Sequence, residues 1–474
     1  MKRYLTDKLK DWLVSPSRKP AVLRGARQVG KTWIVRELAK QTGKQLIELN
    51  FEKQRSLAIH FESNDLATIL LNLESALNQS IDPEKSILFL DEIQAVPELF
   101  AKLRWFYEDM PDLAVITAGS LLEFVLEKHT FSMPVGRIQY FFIEPLGFEE
   151  FLLAKNETHL LSAIEKTSIE KPLNESLHEK ANKLFKEFVM VGGMPEAVST
   201  WINTPSLEAL AEVHNNLINT YQDDFAKYAG KLSTTYLAEV LHAVPRLLTK
   251  KFVYSQVDPA ARHESLKQAL NLLLKARLCH KVQSASANGI PLGAEVNAKI
   301  FKVILIDVGL VSTMLGLRPH QFSNIEDILV INKGALAEQV VGQLLRLLSP
   351  FYVEPALYYW NRELTGSSAE IDYLIQDNLR LVPIEVKAGV EGKLRSLHQF
   401  MSEKPWKLAV RFYAGPLQCD CVKSKTTTGD PIDYELISLP FYLLGQLHRL
   451  LELRKPCKVG DVVSPIDVQW DADT

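Results

Sequence analysis

Gly25-Ala26-Arg27-Gln28-Val29-Gly30-Lys31-Thr32 is a complete G-x-x-x-x-G-K-T phosphate-binding loop, and its flanks decide whether it acts as one. Before it, Pro20-Ala21-Val22-Leu23 reads as the end of a short buried strand. After it, Trp33, Ile34, Leu38 and Ala39 fall at helical spacing in the stretch ending at Lys40. A surface glycine-rich turn that matched by accident would need neither flank. In such a loop successive backbone N–H groups turn inward as an anion nest, and the helix N-terminus adds a favourable dipole. The residues from Gly25 to Gly30 (Gly25, Ala26, Arg27, Gln28, Val29, Gly30) then cradle phosphate, Lys31 reaches the β- and γ-phosphates, and the Thr32 hydroxyl ligates Mg²⁺. ATP and Mg²⁺ are the expected cofactors.

Downstream, Ser86-Ile87-Leu88-Phe89-Leu90 is an apolar strand that ends in Asp91 and Glu92. An aspartate at a strand's C-terminal edge can hold Mg²⁺, and Glu92 is then placed to polarise the attacking water. An apolar strand capped by Asp-Glu is common by chance, but behind a phosphate loop it is informative. A further apolar strand, Leu113 to Thr117, runs into Ala118-Gly119-Ser120. A hydroxyl there, Thr117 or Ser120, can sense the γ-phosphate, and an ordinary strand-end turn is the competing reading. Pro134-Val135-Gly136-Arg137 supplies an arginine that can stabilise charge in phosphoryl transfer or merely sit in solvent.

Strands alternating with helices, with the chemistry at strand C-terminal ends, argue for a doubly wound parallel sheet. The motifs GARQVGKT, LFLDEIQ, TAGSLLEF, PVGR and PLGFEEFL, in this order, resemble a largely uncharacterised prokaryotic AAA+-type ATPase family whose members carry a C-terminal domain of unknown function. The likeness continues through Val191-Gly192-Gly193-Met194-Pro195-Glu196 and Leu305-Ile306-Asp307-Val308-Gly309-Leu310 and covers nearly the whole chain. One departure is T-A-G-S where T-G-S is expected, which leaves open whether Thr117 or Ser120 senses phosphate. The resemblance implies ATP hydrolysis and work as a homo-oligomer, with Arg137 acting in cis or in trans.

The 474 residues, 47% of them hydrophobic, suffice for two or three separately cored domains. A formal charge of −3 excludes a polycation, so any nucleic-acid surface is a local patch. No apolar signal core or membrane-length run is present. The four cysteines, Cys279, Cys419, Cys421 and Cys457, lack paired zinc spacing and read as reduced thiols, hence a cytoplasmic protein. The expected division is an AAA+-type domain over 1–155, a helical lid or linker over 156–230, a winged-helix-like segment over 231–325 and an α/β domain over 326–474. Residues 155–180 turn polar and read as an excursion or linker. His263 to Lys275 is an amphipathic helix leading into a strand-like piece at Leu278, the helix-then-hairpin pattern of a winged helix. Arg246, Lys250, Lys251, Lys267, Lys275 and Arg277 make a DNA-facing patch or a solvated helical face.

A second constellation follows residue 330. Glu338 is embedded in an apolar helix, Asp372 lies on a strand after the Leu357 strand, and Glu385 and Lys387 alternate on a third strand, which places them on one face. Together they resemble the PD-(D/E)xK nuclease core. The resemblance implies that Glu338, Asp372 and Glu385 collect Mg²⁺ or Mn²⁺ and that Lys387 assists the reacting phosphate. The leading expectation is an ATP-hydrolysing protein coupled to a nuclease-like module acting on DNA or RNA, with Glu92, Arg137 and Lys387 catalytic. The alternative is a nucleotide-controlled switch whose module binds without cutting. A small-molecule kinase fits less well, because Asp91-Glu92 places a water-activating acid and no acceptor lid is apparent.

Overall fold

The structure is a computed structural model that describes residues 1–127, 133–317, 334–362, 369–389, 392–427 and 429–454. Cys457 and the expected boundary at 325 lie outside these residues.

Five short strands build the first sheet: β1 (Ala21–Arg24), β2 (Gln45–Asn50), β3 (Ser86–Asp91), β4 (Ala114–Ala118) and β5 (Gln139–Phe142). β3 and β4 are buried along their whole length, as continuous apolar runs must be when helices cover both faces of a parallel sheet. The order is β2-β3-β4-β1-β5 and every pairing is parallel. The C-terminal ends of β1, β4 and β3 are therefore neighbours on one edge. A helix at Tyr4–Leu13 precedes the sheet and buries Leu5, Leu9, Trp12 and Leu13, an apolar stripe at helical spacing.

The polar stretch over 155–180, expected as an excursion or linker, is largely helical. Helix Thr158–Lys166 buries Leu160, Leu161 and Ile164, and the Asn174 side chain caps helix Glu175–Val191 by accepting from Leu177 N. Three apolar residues on one face suffice to dock a short helix, and the polar residues between them are its solvent side. Helix His263–Lys275 forms over the expected residues and buries Leu266, Ala269, Leu270 and Leu273.

The hairpin that follows does not stand alone as a wing. Its strands, β6 (Cys279–Ala285) and β7 (Val296–Leu305), continue through β8 (Leu357–Asn361), β9 (Glu370–Asp377), β10 (Arg380–Val386), β11 (Leu408–Tyr413), β12 (Gln418–Lys425) and β13 (Pro431–Pro440) as one mixed eight-stranded sheet, ordered β12-β13-β11-β10-β9-β8-β6-β7. β6 pairs in parallel with β8, so the sheet crosses the boundary expected near 325. Backbone pairing of β6 satisfies an edge that a free hairpin would expose.

Two buried polar knots tie the regions together. Glu144, just past β5, receives Arg346 (2.8 and 3.1 Å) and Arg277 (3.2 Å), which hold its carboxyl well below the usual range against the opposing effect of burial. Arg277 is thus 5% exposed and is removed from the expected DNA-facing patch. Asp307 caps helix Val308–Met314 by accepting from Gly309 N (2.9 Å) and Leu310 N (3.3 Å), and also accepts from Gly193 N (2.6 Å) and Gln343 Nε2 (3.1 Å). Gly192, with φ +75°, has no room for a Cβ, which would lie 2.1 Å from Asp307 Oδ1. Cys279 and Cys419 are free thiols.

Candidate nucleotide site and acidic cluster

The phosphate loop joins β1 to helix Lys31–Thr42, with Gly30 at φ +96° capping the helix and Gln28 also left-handed at φ +66°. These two residues turn the backbone so that it can wrap an anion. The Lys31 ammonium donates to Gly25 O (2.9 Å) and Ala26 O (2.6 Å), so the loop curls around it. Burial lowers its pKa to about 8, against the charges of Glu92 and Asp91. Three residues missed in the sequence brace the loop from outside. Arg3 donates to Val29 O (3.1 Å), the Tyr221 hydroxyl donates to Arg27 O (3.1 Å), and Asp224 pairs with the Arg27 guanidinium.

At the adjoining strand end, Thr32 Oγ1 donates to Asp91 Oδ2 at 3.1 Å, and Asn50 Nδ2 reaches the same oxygen at 3.2 Å. Burial, and then the neighbouring Glu92, raise the pKa of Asp91. Glu92 sits at φ +50°, and its Oε2 accepts from Gln94 Nε2 (2.5 Å), Ser120 N (3.3 Å) and Ser120 Oγ (3.4 Å). Gln94 was not singled out in the sequence, although it lies two residues beyond Glu92. Gly119 makes room for it, since a Cβ there would lie 2.0 Å from Gln94 Oε1. The two sensing candidates separate: Ser120 reaches Glu92, whereas the Thr117 hydroxyl is buried in the sheet against Ala21 O at 3.5 Å.

Arg137 is elsewhere. It precedes β5, so it lies at the N-terminal edge of the parallel sheet, opposite the phosphate loop. There it pairs with Glu108 at 3.0 Å with its side chain 44% exposed. Proximity along the sequence to a strand of the sheet does not select which edge a side chain occupies.

The family model described as "AAA domain" matches residues 17–152, the segment that holds this loop and both carboxylates. Residues 17–152 are an AAA domain. Beyond the AAA domain, residues 182–321 and 333–429 match two domains of unknown function, DUF8612 and DUF4143. Among solved structures, the chain is similar to the Aeropyrum pernix ORC1 protein in complex with DNA, at 14% identity over 66% of this chain and 90% of that one, with a TM-score of 0.26. It is also similar to the Thermotoga maritima RuvB Holliday junction branch migration motor, at 15% identity over 60% and 90%, with a TM-score of 0.28. No curated protein matches the chain. Among the described residues no helix is long and apolar enough to cross a membrane.

The second constellation gathers far from the AAA domain's motifs in sequence. Glu338 is in the first turn of helix Ala335–Arg346, Asp372 is on β9, Glu385 is on β10, and Lys387 follows it. Asp372 Oδ2 accepts from Val386 N at 2.7 Å, and the Lys387 ammonium lies 2.5 Å from Glu385 Oε1. Burial raises the pKa of Glu338, Asp372 and Glu385, and the Asp372 charge adds to the rise at both glutamates. Two further members were missed in the sequence: Glu370, two residues before Asp372 on the same strand face, and Lys302 on β7. The Lys302 ammonium bonds Glu370 (2.5 Å) and Glu338 (3.4 Å). Among the described residues no three His, Cys, Asp or Glu side chains stand arranged to hold a metal ion.

Proposed function

We propose that this protein hydrolyses ATP in its AAA domain and uses the cycle to control a C-terminal module that acts on DNA or RNA. The meeting of Thr32 and Asp91 at 3.1 Å, with Glu92 beside them, carries the first half. Two hard oxygen donors, one of them a buried carboxyl, fit Mg²⁺. When bound with the nucleotide, the ion would neutralise phosphate charge. Lys31 binds the phosphates as a point charge, the loop amides orient them, and Glu92 takes the proton of the attacking water. Gln94 and Ser120 position the Glu92 carboxylate, and Ser120 takes the sensing role rather than Thr117. Arg137 can serve phosphoryl transfer only on a neighbouring copy, a role that requires a homo-oligomer.

The grouping of Glu338, Asp372, Glu385 and Lys387 supports the nuclease-like reading of the module. The ammonium of Lys302 within that group favours the second reading, a nucleotide-controlled switch whose module binds without cutting. An ATPase assay on the full chain, with and without DNA or RNA and with metal varied, tests the proposal. Turnover that Glu92→Gln removes is expected. Absence of turnover under every condition overturns the ATPase half, and cleavage of the nucleic acid overturns the switch.

A further inference from the structure

Lys302 stands at the centre of the acidic cluster, although no motif asks for it there. Its side chain is 5% exposed, and its ammonium lies 5.1 Å from the centre of the Tyr359 ring. A lysine buried this deeply is costly unless its charge is matched. Here two acids supply the match. Glu370 (2.5 Å) and Glu338 (3.4 Å) are both in contact with it, and Asp372 lies on the same strand as Glu370.

The cation and the acids come from different parts of the chain. Lys302 belongs to the region matched over 182–321, whereas the acids belong to the region matched over 333–429. The continuous sheet brings them together, with β7 and β9 at opposite sides of the β6–β8 pair.

We propose that the Lys302 ammonium is the built-in counter-ion of this cluster and takes the place of a divalent metal. This inference rests on the second reading of the module, which binds without cutting, and is independent of the ATPase reading. A tethered ammonium can hold carboxylates together, but it offers no open coordination position and generates no metal-bound nucleophile. The module therefore keeps the carboxylate architecture of a nuclease without metal-dependent cleavage.

The test is Mn²⁺ binding to the nucleotide-free full chain, followed by electron paramagnetic resonance, with Asp372→Asn marking the C-terminal site. Wild type is expected to show no Mn²⁺ that Asp372→Asn removes. Lys302→Met, with its fold checked by circular dichroism, is expected to gain one Mn²⁺ that the added Asp372→Asn abolishes. An Asp372-dependent Mn²⁺ in wild type overturns the proposal, as does a folded Lys302→Met that gains none. Should Lys302→Met not fold, Lys302→Arg keeps a cation in place. Its freedom from Mn²⁺ together with that of wild type supports the proposal, and Mn²⁺ binding by it overturns the proposal. Nucleic-acid binding measured separately on wild type reports on that second reading: binding without cleavage supports it, and no binding overturns it while the Mn²⁺ result still decides the counter-ion proposal.

Discussion

The Thr32 hydroxyl and the Asp91 carboxylate, 59 residues apart in sequence, meet at 3.1 Å. The distance follows from strand order. β4 lies between β1 and β3, all three are parallel, and the residues that leave β1 and β3 emerge on one edge. A hydroxyl and a carboxylate so placed can share one cation, and the predictions for the AAA domain start from that pair.

Lys31→Ala deletes the ammonium that the phosphate loop encloses. Nucleotide affinity or turnover should become unmeasurable, as read by calorimetry and phosphate release. Retained hydrolysis in a clean preparation would sink the loop's assignment.

The protonation of Lys31 sets a pH limit as well. Burial brings its pKa to about 8, and the charged form is the one that attracts phosphate. ATP affinity should thus hold below about pH 8 and fall as pH rises past it. Affinity that stays level to pH 9.5, a range set by the ordinary lysine pKa of roughly 10.4, would contradict the buried-ammonium reading.

Glu92→Gln should retain ATP and slow turnover by about 100-fold or more, the usual scale for a lost general base. Gly119→Ala should resemble it in kind. Its Cβ would displace Gln94 and release the Glu92 carboxylate, lowering kcat by up to roughly 100-fold with little change in KM. A change in KM alone for either variant would assign these residues to binding instead.

Asp307→Ala removes one acceptor from four donors, those of Gly193, Gly309, Leu310 and Gln343. With buried donors left unpaired, the cost should be about 3–5 kcal/mol in denaturant unfolding. Burial also raises the Asp307 pKa to about 6, so the folded chain keeps a proton that the unfolded chain loses above 3.8. Its contribution to stability therefore falls as pH rises from 3.8 to 6 and is flat beyond. Asp307→Asn should abolish that part of the pH dependence, and an unchanged profile would assign it to other groups.

Arg137→Ala should leave basal hydrolysis by dilute, monomeric protein unchanged, because Arg137 pairs with Glu108 at the opposite edge of the sheet. A loss of basal turnover at that dilution would show that the arginine reaches its own phosphate loop.

The sequence by itself determined the phosphate loop and its flanks, the carboxylates after β3, the helix His263–Lys275, and the strands that carry Asp372 and Glu385. In each case the reason is local. A glycine loop needs its backbone conformation, an amphipathic helix its spacing, and a buried strand its apolar run. Tertiary structure alone decided what depends on which chain segments become neighbours. It placed Arg137 at the far edge of the sheet, turned Thr117 inward and Ser120 toward Glu92, and brought Gln94 onto Glu92 through the space left at Gly119. It drew Arg277 out of a basic stretch and onto Glu144. It also joined the β6–β7 hairpin to the C-terminal sheet, which carried Lys302 into a cluster of acids drawn from Glu338, Glu370, Asp372 and Glu385. None of these positions has a sequence period, because a charge's partner is chosen by packing across the fold, where burial makes an unmatched charge too costly to keep.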